Sequence, residues 1–570
     1  MTLSHDRLSD ILHDIAREMD ASRDNMTQLD LLLVNPGGRQ EVYQQLAEDL
    51  TAIEPPVWCG LIAEYVQRKG FSVAILDTNA EGLEASDAGK AIVDRKAKLV
   101  AIICYGQNPS ASTQTMPEAY RICIAAKAWD ERTKVALVGG HVAALPDRTL
   151  KESGADYVTT GEGCVSLVEL LKGTDKHDVP GIGFFDRSPM SARTYFETKS
   201  APNVMDVNAD MPTVAWDKIG DLTRYRCHSW HGWTSQFANA GCNSCVPGPS
   251  GIVTDYACDC RERRAQSRSP YAAFYTSLGC PYQCSFCCIQ APFKEGERVA
   301  LRMTGKGGEA SNSYRLWSAS NVGKQIAKLY YDHGVGNIKI ADEMFVLNKR
   351  HVEGVCDAIT SRIQWPQDKL NIWAYARVDT CNDANLLYKM RKAGFRWLAL
   401  GIESAAGNVR AGVDKDYKGG DEQIVQCVER IKAAGIHVLG NYIFGLPEDD
   451  SRSMDATLDL ACELNTPWAN FYSAMPYPGS QLWKDAKAHH ALEWSAFSQH
   501  SRDCTPMATK HLSSGQVLRF RDYAHNFYFS RPEYLALVER EFGADARAQV
   551  VAMNTKTLHR DLLEQLCPAS

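Results

Sequence analysis

The 570-residue chain has no apolar run of the ~18 residues that a membrane-spanning helix needs. It has no basic excess either. Net charge is −7 and the pI is about 6.1, so no global electrostatic case exists for nucleic acid or a membrane surface. Met1 to Met26 is polar and helix-like, without the apolar core of a signal peptide. Cysteine, by contrast, is plentiful. The 19 thiols are scattered through a large chain, unlike the regular framework of a small secreted domain. That usage points to a reducing cytoplasm, with some cysteines on metal. Hydrophobic residues at 45% and charged residues at 23% fit globular protein, and the length is a prior for three or four domains.

The first half alternates strands and helices. Strands are expected at Gln28 to Asn35, Ser72 to Leu76, Leu99 to Cys104, Lys134 to Val138 and Asp156 to Thr159. Helices are expected from Pro55-Pro56 to Arg68, over Thr115 to Trp129 and over Val165 to Leu171. Glycines at the strand ends complete the pattern of a doubly wound, Rossmann-like parallel sheet, whose ligands bind beyond the carboxyl ends of the strands. Four loops then converge: Pro36 to Arg39, Tyr105 to Thr113, Gly139 to Val142 and Gly161 to Cys164. None is a G-x-G-x-x-G fingerprint, which disfavours a dinucleotide. Gly106, Gly139, Gly140, Gly161 and Gly163 allow close approach of a large flat ligand, and Ser110, Ser112 and Thr113 can bond amides or a nucleotide tail. His141 and Glu162 sit in the same loops. Ordinary turn chemistry is the competing reading.

From Pro270 the period changes. Strands recur at Ala273 to Leu278, Asn337 to Ala341, Leu370 to Ala376, Trp397 to Ile402, His437 to Phe444 and Trp468 to Met475, with helices between. Six strands with helical crossovers make a partial TIM-like barrel, whose chemistry belongs at the carboxyl ends of the strands. Those ends are polar or glycine-rich: Asp342-Glu343, Arg377, Glu403 and Gly445.

On the first of these strands follows Cys280-Pro-Tyr-Gln-Cys284-Ser-Phe-Cys287, a C-x3-C-x2-C spacing. Three thiolates on one tight loop can hold three irons of a [4Fe–4S] cluster and leave the fourth open. Structural zinc wants a fourth protein ligand that the loop lacks. Buried free thiols are the alternative. Upstream, Cys242-x2-Cys245 and Cys258-x-Cys260 are a possible second metal site, for zinc or another cluster, or incidental thiols of an insertion. The segment Tyr225 to Trp233, with His228, Trp230 and His231, is placed either to roof a substrate pocket or simply to pack.

The cysteine spacing resembles the signature of the radical S-adenosylmethionine (SAM) superfamily. A parallel-sheet domain directly before it resembles the cobalamin-dependent branch, the class B methyltransferase-like enzymes. The free-standing cobalamin motif D-x-H-x-x-G is absent; Asp77-Thr-Asn79-Ala-Glu-Gly82 carries Asn in place of His and follows the wrong strand. In that branch cobalt typically has no His ligand, and Trp58 is the candidate for its lower face. The resemblance implies a cluster on Cys280, Cys284 and Cys287. It implies SAM contacts from Asp342, Glu343, Arg377, Glu403 and the Tyr442-Ile-Phe444-Gly445 motif on the adenine side, and cobalamin over the glycine loops. No Gly-Gly-Glu triplet follows the second strand; Ala341-Asp-Glu-Met-Phe345 stands in for it. Phe527 to Leu535, with Arg531-Pro532 and Tyr534, resembles the C-terminal segment of the class.

The implied organisation is a helical extension (1–26), a cobalamin-binding domain (27–175), a linker with the Cys-rich insertion (176–269), a radical SAM barrel (270–490) and a helical C-terminal domain (491–570). The implied activity is C-methylation of a small molecule at an unactivated carbon, through a 5′-deoxyadenosyl radical and methylcobalamin. Alternatives are radical rearrangement or cyclisation, methyl transfer to sp2 carbon or phosphorus without hydrogen abstraction, and a non-catalytic cobalamin or redox sensor. The expected partners are a small-molecule substrate and an electron donor of the flavodoxin or ferredoxin type, in the cytoplasm.

Overall fold

The computed structural model describes residues 28–47, 50–106, 108, 110–186, 194–235, 267–293, 314–415 and 420–566. Residues 1–26 and the pairs Cys242, Cys245 and Cys258, Cys260 lie outside the described residues. No helix among the described residues is long and apolar enough to cross a membrane.

The first layer is a seven-stranded sheet in the order β2-β1-β3-β4-β5-β6-β7. Its strands are β1 (Leu31–Asn35), β2 (Val73–Asp77), β3 (Leu99–Ile103), β4 (Val135–Val138), β5 (Tyr157–Thr159), β6 (Ile182–Asp186) and β7 (Thr194–Glu197). The first five are parallel, and β6 and β7 add an antiparallel edge. β3 is buried along its whole length, as a strand covered by helices on both faces must be. The covering helices are α1 (Val57–Arg68), α2 (Ala85–Asp94), α3 (Met116–Trp129) and α4 (Cys164–Leu171). β7 is a strand the apolar pattern did not announce, because it is mostly exposed and pairs on one side only. Strand order reverses between β1 and β3, and such a switch point opens a crevice at the carboxyl edge.

The second sheet has six parallel strands in the order β8-β11-β12-β13-β14-β15, an open barrel. They are β8 (Tyr271–Phe274), β11 (Asn337–Ile340), β12 (Asn371–Arg377), β13 (Phe395–Glu403), β14 (His437–Phe444) and β15 (Trp468–Ser473). Crossovers run through α5 (Ala319–His333), α6 (Lys349–Thr360), α7 (Ala384–Lys392), α8 (Gly420–Ala433) and α9 (Ser451–Leu464). Ser318 caps α5 by accepting from the Asn321 amide, and Gly334 ends it in the left-handed region. α10 (Ser514–Ser530) and α11 (Pro532–Phe542) cover the β14–β15 side: Phe520 meets Phe444 at 5.0 Å and Tyr528 meets Phe471 at 5.4 Å.

Two expectations change. The apolar run Ala273 to Leu278 is not one strand. β8 stops at Phe274, and β9 (Ser277–Leu278) pairs antiparallel with β10 (Arg315–Leu316). The break is imposed from outside: the buried Asp342 carboxylate takes the Thr276 amide and both the Thr276 and Ser277 hydroxyls, at 2.6 to 2.7 Å. The aromatic and His segment is a floor, not a roof. His231 Nε2 bonds the Asn371 carbonyl at the start of β12 (2.8 Å), the Asn371 amide returns to the His231 carbonyl (2.7 Å), and Trp397 donates to Thr234. Trp230 packs edge-on against Trp373 and Trp397. The amino-terminal end of the barrel is therefore filled by side chains.

The sheet unit also reaches inside the barrel. Glu54, from the segment before α1, pairs with Lys339 of β11 at 3.1 Å, both side chains almost fully buried. Removing one partner of such a pair strands the other charge. Lys339→Met should therefore lower stability by about 3–5 kcal/mol. Lys339→Met combined with Glu54→Leu should recover most of that loss, read as the midpoint of anaerobic chemical denaturation.

Candidate active site between sheet and barrel

The cysteine loop starts where Asp342 bends the chain. Burial pushes the Asp342 carboxyl up to about 6, against the hydroxyl and amide bonds that favour its charge. The loop turns at Gly279, φ 79°, a conformation that favours glycine. Its ends are tied by Gln290, whose amide donates to the carbonyls of Cys280 (3.0 Å) and Tyr282 (3.3 Å). Ser285 donates to Asp414, just beyond β13, and the Ser285 amide to the Val413 carbonyl.

Cys280, Cys284 and Cys287 are all free thiols on this loop. Burial raises each, and Cys280 and Cys284 also raise Cys287, so the three lie within one another's field. They are not already gathered into a closed ligand set among the described residues. Lys415 and Arg377 act the other way on Cys284, favouring the thiolate that iron needs. Arg377 lies across the Tyr282 ring at 4.0 Å, places Nη1 3.8 Å from Cys284 Sγ and pairs with Asp379 at 2.9 Å. The donor type, the spacing and the cationic surroundings fit a three-thiolate iron–sulfur site.

Of the predicted SAM contacts, Glu343 points into open space. Its Oε2 is buried with no hydrogen-bond partner, and burial, then neighbouring Asp342, pushes the carboxyl up to about 8. A buried carboxylate oxygen without a donor suits a cationic ligand group, and SAM carries an ammonium. Asp342 is committed to the loop and acts as a positioning residue. Glu403 ends β13 at φ 66° and is ion-paired with Lys415, a residue the strand-end reading did not pick out.

The adenine-side expectation needs correction. Tyr442 and Phe444 turn away from the barrel interior, stacking on Phe471 at 5.4 and 5.8 Å, under α10. Gly445, φ 82°, lies against Val517 of the same helix. Alternation along β14 instead puts Ile443 on the cluster of Val409, Val413, Leu446 and Ala474 that Phe286 of the cysteine loop also packs against, and Asn441 beside Asn470.

The sheet loops are arranged differently from a row of free donors. Ser112 donates to the Cys104 carbonyl and accepts from the His141 amide, and Thr113 bonds His141 Nδ1 at 3.1 Å. Ser110 bonds Asn108. Burial drives His141 down to about 3, so it is neutral, with its ring edge on Trp494 at 4.4 Å. Glu162 forms a buried ion pair with Arg315 of β10 at 3.0 Å and accepts from the Val204 amide. These hydroxyls and the carboxylate thus hold loop to loop and sheet to barrel. Close packing explains some of the glycines: a Cβ on Gly139 would stand 2.3 Å from the Cys104 carbonyl, and one on Gly106 or Gly163 would clash with Ala111 or Val138. Gly140 and Gly161 are less crowded: a Cβ there would make only ordinary contacts, with Ser112 Oγ at 3.6 Å and with the Pro292 carbonyl at 3.7 Å.

Between these edges lies a cleft lined from both sides. Trp58, Tyr105, Ser112 and Gly140 come from the sheet unit; Tyr275, Cys288, Phe293 and Glu343 come from the barrel. Trp58 stacks on Tyr105 at 3.9 Å and comes within 5.9 Å of Tyr275 and 6.2 Å of Phe293. Aromatic faces and open backbone edges fit a flat macrocycle better than a chain of polar groups would.

Residues 45–171 match the B12 binding domain, and residues 274–461 match the Radical SAM superfamily. The chain is 26% identical to an uncharacterised methyltransferase of Pyrococcus horikoshii over 84% of its own length and 89% of that protein's. It is 20% identical to the anaerobic magnesium-protoporphyrin IX monomethyl ester cyclase of Cereibacter sphaeroides, over 84% and 67%. In fold it resembles OxsB, a cobalamin-dependent S-adenosylmethionine radical enzyme solved with aqua-cobalamin and SAM bound (TM-score 0.62, 13% identity, 94% and 72% covered). Barrel and cysteine loop together define a radical SAM enzyme. With the B12 binding domain ahead of the radical SAM domain, the chain has the make-up of a cobalamin-dependent radical SAM enzyme, and the two domains imply a [4Fe–4S] cluster, SAM and cobalamin as cofactors.

Two outcomes are expected. Replacing Cys280, Cys284 or Cys287 by Ser should drop reconstituted iron from about four per chain to below about one, while Cys288→Ala should keep it. Raising pH from 6 to 7.5 ionises Glu343 progressively, so affinity for S-adenosylhomocysteine, which keeps the ammonium, should rise over that window. Calorimetry should show Glu343→Gln weaker and flat with pH.

Proposed function

We propose that the enzyme is a methyltransferase that methylates an unactivated carbon of a small-molecule or natural-product substrate. The observation that carries this reading is the shared cleft, in which Glu343 and the residues just after the cysteine loop, Cys288 and Ile289, face Trp58, Tyr105 and Gly140 across a few side chains. When bound, the cluster and SAM supply hydrogen-abstracting radical chemistry and cobalamin supplies the methyl group.

The chain's own residues then have distinct tasks. Cys280, Cys284 and Cys287 hold the iron. Glu343 takes the SAM ammonium, and Arg377, beside Cys284, takes its carboxylate once it turns from Asp379. The Glu403–Lys415 pair offers a donor and an acceptor to the ribose side. Trp58 and Tyr105, stacked on each other, would hold the corrin, Trp58 being the residue proposed to face cobalt. The Trp230 floor excludes water from below, which protects a radical from quenching. Electrons come from a flavodoxin- or ferredoxin-type donor in the cytoplasm, and the domain limits follow the ranges 27–175, 270–490 and 491–570.

Similarity to a cyclase supports a second reading, ring formation or rearrangement without methyl gain. Product analysis decides between them. Anaerobic turnover with candidate substrates should yield 5′-deoxyadenosine and S-adenosylhomocysteine together, with a product heavier by one methylene. A product of altered connectivity and no added carbon would select the cyclase reading.

A further inference from the structure

The loop after β1 ends on a half-buried cation, two of whose N–H groups have no acceptor. Arg39 follows Pro36-Gly37-Gly38 at the carboxyl edge of the sheet. Its Nε and Nη1 are buried, and neither has a hydrogen-bond partner. The carboxylates around it are engaged elsewhere. Glu41, two residues on, and Glu118, which lies against Gly38, both go to Arg121, at 2.5 and 2.8 Å. Glu54 is held by Lys339. Arg226 stands near instead: after burial, its charge is the next largest cause lowering the Arg39 pKa. Arg226 is fixed there by paired backbone bonds with Ile53, and its Nη2 donates to the Ala47 carbonyl. Tyr43, one helical turn after Arg39, feels Glu54, Lys339 and Arg39 together, so the spot lies between the sheet edge and the barrel interior.

Burying N–H donors without acceptors is costly, and a second cation beside them adds to the cost. A fold retains such an arrangement when a ligand supplies the acceptor. We propose that Arg39, with Arg226 beside it, is the seat of an oxyanion carried by a ligand at the carboxyl edge of the sheet, a phosphate, phosphonate or carboxylate group. The planar fork of a guanidinium matches two oxygens of such a group. The anion has two possible sources, an acidic group on the substrate or the phosphodiester of cobalamin's nucleotide tail. The assignment goes beyond the methyl-transfer reading and stands whether or not that reading holds.

The test uses the full chain in phosphate-free buffer, with inorganic phosphate as probe and cobalamin or cobinamide, which lacks the phosphodiester, as cofactor. Wild type should bind phosphate, Arg39→Gln should lose at least tenfold in affinity, and Arg39→Lys should keep part of it. Ligand-free Arg39→Met should melt higher than wild type, because two buried N–H groups without acceptors are replaced by an apolar chain; a purely structural arginine would give the opposite shift. If Arg39→Gln weakens cobalamin and leaves cobinamide unchanged, the anion is the cofactor's phosphodiester. If both bind as in wild type while phosphate binding falls, the anion belongs to the substrate. Phosphate affinity that is absent or unchanged, together with unaltered cobalamin binding, overturns the proposal. So does an equal loss for cobalamin and cobinamide.

Discussion

The site depends on one carboxylate. Asp342, at the end of the second barrel strand, draws Thr276 and Ser277 out of the first strand's line. Without that pull, the apolar sequence from Tyr271 to Leu278 would continue in the sheet, and a residue shift there would swing every later side chain to the opposite face. With it, the chain leaves β8 after Phe274, pairs briefly with β10 and delivers three cysteines over the barrel mouth. The next residue, Glu343, is left facing the cleft. Two adjacent acids thus divide the work: one is saturated by donors and fixes geometry, the other keeps one oxygen without a donor and with it its binding capacity.

The second constraint is the joining of two units that each hold half a site. Glu162 to Arg315 fastens the loop after β5 to the ribbon beside the cysteine loop. Glu54 to Lys339 plants the segment before α1 inside the barrel. Buried ion pairs contribute little net stability against well-packed apolar residues, but an unmatched partner is heavily penalised. They therefore act as registration pins: an alternative docking of sheet on barrel would bury four unmatched charges. The Trp58–Tyr105 stack then meets Tyr275 and Phe293 in one arrangement.

Much of the architecture was legible from the chain. The strand–helix alternation, the glycine strand ends and the C-x3-C-x2-C spacing are local signals, and each β-strand of the barrel falls within a few residues of its apolar run. The roles of individual polar residues were less legible, because they depend on partners far along the chain. Glu162 reads as a loop acid near a ligand until Arg315, 153 residues away, is seen to take it. Ser112 and Thr113 read as free hydroxyls until His141 arrives from the next loop. Tyr442 and Phe444 are hard to place for a different reason: Tyr-Ile-Phe is apolar throughout, so which face is covered shows only once Phe471 and α10 pack against one side. Lys415 had no local pattern to announce it, and the cluster around Trp230 and His231 showed in the sequence without the contact to Asn371 that makes it a floor.

The floor also sets an order of events. With the amino-terminal mouth of the barrel filled by Trp230, His231 and their bonds to Asn371, a molecule seated deep in the bore arrives from the same side as the cleft ligands. Loading is then a stack: whatever lies lowest enters first and leaves last. An enzyme built this way commits to its deepest guest before the upper one closes over it, and its release steps run in reverse sequence.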